Sequence, residues 1–191
     1  MENFSMSLML PMLFSDVFSM EALKAGFLLV PPILFMSGTT LVAGRILDRF
    51  GAWPLIPIGV LAIAFGQVSV ACLGMQQSVI GIVAASAFIY SGTGLVQAPI
   101  QAVALTALRP EENPSGISII NIFIPCSAAM GPTLFIGIRS AAFGSAVSTG
   151  MDYTTAYMHG FATTVSVAAM IALVGTVVAA LLAWRVSKKR P

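Results

Sequence analysis

The chain has 191 residues, 58% of them hydrophobic and 8% charged, with a mean hydropathy of +0.95. Soluble domains carry about 25% charged residues because a water-facing surface needs them, and disordered chains are polar or charge-rich, so both classes are excluded. The formal net charge of +2 comes without any basic patch interleaved with aromatics, which excludes nucleic acid and leaves the lipid bilayer as the expected partner of an all-α integral membrane protein.

In chain order, the N-terminal MENFSMSLML has neither a basic leader nor a following cleavage site, so a processed signal peptide is not expected. Only 13 residues separate Glu2 from Asp16. A helix crossing about 30 Å of hydrocarbon at about 1.5 Å per residue needs about 20. Residues 3–15 are therefore expected to be part of a span whose beginning is missing, or alternatively a short interfacial or re-entrant helix.

The next uncharged runs are 25–44, 50–108, 113–138 and 153–184. The run 50–108 is 59 residues long, too long for one helix, and CLGMQQS at Cys72–Ser78 divides it. Five full spans follow, near 23–44, 54–73, 79–107, 114–138 and 158–185, with 186–191 as a tail. If the spans alternate, one side holds Arg45, Arg49, Arg109, Arg185, Lys188, Lys189 and Arg190, and the other holds only Lys24 and Arg139. The positive-inside rule places the first group, and the C-terminus, in the cytoplasm of a multi-pass plasma-membrane protein. Trp53 and Trp184 fall at span ends, where indoles favour the headgroup layer.

Within the spans, Ala62 and Gly66 form a small-x-x-x-small pair that permits close helix approach. Pro31, Pro32, Pro99, Pro125 and Pro132 are expected to bend their helices, and broken helices in a membrane belong where protein or a cavity covers them. Gln97 and Gln101 are four residues apart and share a face, and Asn121 is the polar position of the next span. These three amides are candidate cavity residues; the alternative is that they bond helices together. Cys72 and Cys126 read as small buried hydrophobes with no partners for a disulfide or zinc. No span carries a charge away from its ends, and His159, at the start of the last one, fits a loop or capping role better than proton handling. No cofactor, metal set or enzyme chemistry is indicated, because no nucleophile, base and orienting group cluster together. Glu111 and Glu112 are explained as acids placed at a helix start.

The stretch Gly44-Arg45-Ile46-Leu47-Asp48-Arg49-Phe50-Gly51 is the expected short cytoplasmic loop between the second and third spans. Gly44 and Gly51 permit tight packing or unusual dihedrals, and Asp48 can accept from Arg45, Arg49 or free backbone N–H groups. Surface ion pairs contribute only about 0–1 kcal/mol, so stability alone explains the cluster poorly. In this position the stretch resembles the glycine–x–x–x–aspartate–arginine–x–glycine motif of the major facilitator superfamily. AGFLLVPPILF (25–35) is similar to the family's glycine–x–x–leucine–proline entry to the preceding helix, and GTGLVQAP (92–99) and SGISIINIFIPCSAAMG (115–131) are similar to the fourth and fifth helices of the C-terminal half in its fourteen-span drug:proton antiporter branch. The basic residues usual after the second glycine are replaced by Ala52-Trp53-Pro54, as in the C-terminal copy of the motif.

The resemblance implies the C-terminal six-helix bundle of a major facilitator fold, with its first helix truncated. In function it implies part of a multidrug efflux antiporter that a proton gradient drives in the complete protein, with the motif as a conformational switch. Expected partners are a small-molecule substrate and either the missing N-terminal half or another copy of the chain. The competing readings are a half-size transporter acting as a homo- or heterodimer and a non-transporting membrane scaffold or regulatory subunit.

Overall fold

A computed structural model describes residues 2–52, 54–106 and 108–187. Trp53 and the tail from residue 188 lie outside the described residues, as does the side chain of Trp184. Every regular element described is helical: α1 (Glu2–Asp16), α2 (Ala22–Phe27), α3 (Val30–Phe50), α4 (Leu55–Met75), α5 (Val79–Thr106), a 3₁₀ turn at Pro110–Glu112, α6 (Asn113–Ser148) and α7 (Tyr153–Ser187). Among the described residues, five stretches are long and apolar enough to cross a membrane: Ala22–Phe50, Leu55–Gly74, Val79–Leu105, Asn113–Ser148 and Tyr153–Gly175.

The element boundaries follow local chemistry. The chain breaks between α2 and α3 at Leu28–Leu29, and Pro31 falls in the first turn of α3, where its missing N–H removes no intrahelical bond. Pro32 is buried beside it. The helix runs on through Pro99 in α5 and through Pro125 and Pro132 in α6, so these three interrupt hydrogen bonding without ending a helix. Gly51 ends α3 at φ 75°, a conformation that favours glycine, and its N–H donates to the Leu47 carbonyl at 3.0 Å. Between α4 and α5 the turn uses Gln77 at φ 54°, with its N–H on the Gly74 carbonyl at 3.0 Å. Ahead of α6, the Arg109 backbone N–H donates to the Glu112 carboxylate at 3.1 Å, so this acid caps the turn and not the helix itself.

The helices are not neighbours in simple sequence order. α5 packs against both α4 and α3, while α3 and α4 barely meet; α7 lies on α4 and α6, and α6 lies on α1. The centre is formed by Met9, Leu10, Leu13 and Phe14 of α1 with Ile82 and Ile89 of α5 and Phe161 and Val165 of α7. A membrane supplies little hydrophobic drive between helices, so close backbone approach must supply the affinity. Glycine makes that approach possible. A Cβ on Gly59 would sit 2.9 Å from the Gly92 carbonyl oxygen, and one on Gly92 would run into the Gly59 carbonyl. One on Gly66 would meet the Ile89 backbone nitrogen at 2.8 Å, and one on Gly94 the Met36 carbonyl of α3 at 2.7 Å. The α7 helix approaches α6 in the same way, with Gly160 against the Arg139 carbonyl at 2.8 Å.

Cys72 and Cys126 are exposed, which corrects their reading as buried residues. A small apolar side chain in a bilayer-facing helix is at no disadvantage against lipid and needs no protein cover. The same reasoning covers the exposed Phe35, Phe65, Phe123 and Val174.

Gly92→Val should destabilise the bundle by about 1–3 kcal/mol, because the obstructing atom is backbone and cannot rotate away. Gly38→Val, on the open face of α3 with nothing within 4 Å of its added Cβ, is the matched control and should melt like the unaltered protein in detergent.

Candidate functional site

The polar residues of α5 lie along one side of the helix. Ser86, Tyr90, Thr93, Gln97 and Gln101 are spaced by four, three, four and four residues, which at about 100° per residue places them within about 80° of one another. Ser86 and Tyr90 are buried at the inner end, Thr93 and Gln101 are half-buried, and Gln97 is exposed. At the outer end of this stripe lies a cavity of about 400 Å³ bounded by three helices. Phe4 of α1 contributes one wall, Thr93, Gln97, Ile100, Gln101 and Ala104 of α5 the second, and Ile120, Phe123, Ile124 and Ser127 of α6 the third.

Its chemistry is uncharged. The polar atoms belong to two amides and two hydroxyls in a largely aliphatic and aromatic wall, and the Thr93 hydroxyl is spent on the Ile89 carbonyl at 2.9 Å. Neither Gln97 nor Gln101 has a hydrogen-bond partner among the described residues, so neither amide ties α5 to another helix here. Such a lining suits an apolar or amphipathic molecule whose hydrogen-bonding groups are met by the amides.

Of the candidate cavity residues, the structure brings Gln97 and Gln101 to this lining and leaves Asn121 out of it. Ile120, Ile124 and Ser127 recur at helical spacing and define the α6 face; Asn121, one residue beyond Ile120, is rotated from it by about 100° and is exposed elsewhere. Thr93 and Ser127 were not singled out from sequence. Thr93 carries the same four-residue signal that links Gln97 and Gln101, whereas Ser127 became recognisable only once α6 was seen against α5.

The glycine–aspartate–arginine stretch is not a loop. Gly44 to Phe50 form the last two turns of α3, and only Gly51 leaves the helix. Apolar helix continues through the charged residues because Arg45, Asp48 and Arg49 are exposed and solvated. Asp48 pairs with neither arginine; the ion pair seen among the described residues is Lys24–Glu21 at 3.2 Å, with both side chains exposed. A Cβ on Gly44 would meet nothing within 4 Å, so nothing in this bundle requires glycine there. His159 is exposed within α7, its carbonyl accepting from Thr163, and takes no loop or capping position. Among the described residues no group of histidine, cysteine or carboxylate side chains is arranged to hold a metal.

A bundle of long apolar helices with an uncharged cavity between them defines a multi-pass membrane protein. The sequence profile of the Major Facilitator Superfamily matches residues 1–132, and the chain belongs to that family, whose members are transporters and not enzymes. It is 27% identical over 166 residues to YcnB of Bacillus subtilis (strain 168), described as an uncharacterized MFS-type transporter; the match covers 87% of this chain and 35% of the relative. The chain thus spans about a third of the length of the relative it matches. No solved structure matches it.

Gln97→Leu should change unfolding stability in detergent by no more than about 0.5 kcal/mol, as for a residue whose polar atoms bond nothing in the protein. An interhelical amide bond would instead be worth about 0.6–2 kcal/mol, and a loss of that size would return Gln97 to a bonding role.

Proposed function

We propose that the chain is one helical bundle of a secondary transporter and that the α1–α5–α6 cavity is its share of the substrate path. The observation that carries this reading is the cavity itself, within the about 300–1,000 Å³ range of small-molecule sites and lined by apolar groups with two free amides. The substrate is a small amphipathic molecule, in keeping with the multidrug efflux resemblance.

The second bundle that completes the path is either the N-terminal half of the transporter or another copy of this chain. Support comes from the unequal burial of the helices: 44% of the apolar window of α5 is buried but only 11% of that of α6 and 17% of that running through α2 and α3. Two helices with so much open face are suited to a further bundle, as expected when repeats rock against each other in alternating access. Export is driven by the proton gradient, with the coupling acid on the second bundle, since residues 50–108 carry no carboxylate at all. The end of α3 is the latch: Asp48, unpaired among the described residues, engages the second bundle in one access state and releases it in the other. The C-terminus and this latch face the cytoplasm.

Binding of a neutral, environment-sensitive naphthylamine dye to the chain in nanodiscs tests the cavity. Replacing both Gln97 and Gln101 with alanine should weaken binding about tenfold, the worth of two modest hydrogen bonds. Equal affinity in the double variant would remove the cavity as the site. For the latch, Asp48→Asn in the assembled transporter should shift the balance of inward- and outward-open forms in a cysteine-accessibility assay, and unchanged populations would exclude it.

A further inference from the structure

At the end of the bundle away from the cavity, three helices meet through one tyrosine. The Tyr157 hydroxyl on α7 donates to Asp16 Oδ2, at the last residue of α1, over 2.9 Å. The Tyr157 hydroxyl oxygen in turn accepts from Arg139 Nη1 of α6. The guanidinium carbon of Arg139 also lies 4.7 Å from the centre of the Tyr157 ring, a cation–π placement. Tyr157 is itself only 4% exposed, packed edge-on to Phe143 with ring centres 6.2 Å apart. Asp16 and Arg139 form no ion pair with each other among the described residues, so the hydroxyl alone joins the opposite charges. Gly160 sets up the arrangement: its missing side chain lets α7 rest on the Arg139 carbonyl one turn from Tyr157.

The two helices joined by this group are also two walls of the cavity. α1 reaches it through Phe4 and α6 through Ile120–Ser127, and because Phe4 lies near Phe123 while Asp16 lies near Arg139, the two helices run in the same direction. Twelve residues of α1 and about as many of α6 separate the cavity from the clasp, a distance of about 20 Å. At the cavity end the α1 wall is a single side chain, Phe4, set against a largely exposed stretch of α6. Beside Phe4, Ser5, Met6 and Met9 are buried in the core, so the tyrosine group is a polar fixture added to a packed helix, and Phe4 is the α1 side chain that faces the cavity.

We propose that Tyr157 is a positioning residue: through Asp16 and Arg139 it fixes the angle between α1 and α6 and thereby the width of the cavity. The inference deepens the cavity reading above and rests on it for its consequence, but its geometry is measured independently of any ligand. Tyr157 does not itself line the cavity, so its influence passes through the two helices it joins.

The experiment is double electron–electron resonance on the full chain in nanodiscs, with spin labels at Leu8 of α1 and Ser118 of α6, both exposed, and with the exposed Cys72 and Cys126 replaced by serine. Tyr157→Phe keeps the ring and removes both hydrogen bonds, and should broaden the label–label distance distribution about twofold as the helix pair gains freedom. Asp16→Asn and Arg139→Gln should do the same in part. The paired exchange Asp16→Arg with Arg139→Asp should restore the narrow distribution, because a hydroxyl can donate to one charge and accept from the other in either order. A folded Tyr157→Phe protein with the unaltered distribution overturns the proposal. If that variant does not fold, an exchange pair no narrower than the single charge variants overturns it equally. Dye binding separates the two readings: a widened distribution in a protein that never binds the dye defeats the cavity and leaves the clasp, whereas weakened binding at an unaltered distribution defeats the clasp.

Discussion

The bundle depends on backbone meeting backbone along α5. Gly92 of α5 faces Gly59 of α4 so closely that neither position has room for a Cβ, and Gly94, two residues on, admits the Met36 carbonyl and the threonine hydroxyls of α3. Two residues apart on a helix is about 200°, so these contacts lie on nearly opposite sides of α5. The helix is held like a plank between two others. Its rotation is therefore fixed, and so is the direction in which its remaining side faces. That side carries Ser86, Tyr90, Thr93, Gln97 and Gln101.

The cavity follows from that constraint. A polar stripe on a freely rotating helix would turn toward whatever partner its neighbours offered. Held from both sides, the α5 stripe instead runs from the buried Ser86 and Tyr90 to the open Gln97 and meets α6 only at its outer end. The gap is wide enough to leave two amides without partners among the described residues and narrow enough to be bounded by Phe4 and Phe123. Membrane proteins tolerate intramembrane amides where a cavity or another helix receives them. Here the receiving partner is the cavity.

Much of this was legible in the residues, and the boundary of legibility has physical causes. Charge spacing marked out the helical segments because a charged side chain is costly in hydrocarbon, and that cost is local. Gln97 and Gln101 share the lining because a four-residue spacing puts them on one face wherever the helix goes. Asn121 does not join them because the direction a helix faces is set by its neighbours: one step of about 100° takes it away from the face bearing Ile120 and Ser127. The Gly44–Gly51 stretch was read as a loop from its charges and glycines, yet exposed arginines and an aspartate are compatible with helix, and only Gly51, at φ 75°, marks the stop. The Asp16–Tyr157–Arg139 group joins residues up to 141 positions apart, and no spacing rule spans that distance. Its one sequence trace is that Asp16 and Arg139, opposite in charge, each close an apolar run that the alternating topology ends on the same side.

A cysteine scan along α5 from Tyr90 to Ala104, read by reaction with a small water-soluble thiol reagent in nanodiscs, tests this arrangement most directly. Glycine-fixed packing predicts reactivity with helical periodicity, highest at Thr93, Gln97 and Gln101 and lowest at the buried Val96 and Pro99. Uniform reactivity along the scan, or maxima moved by one residue to Gly94 and Ala98, would show that α5 is not held as described and that the cavity has no fixed wall.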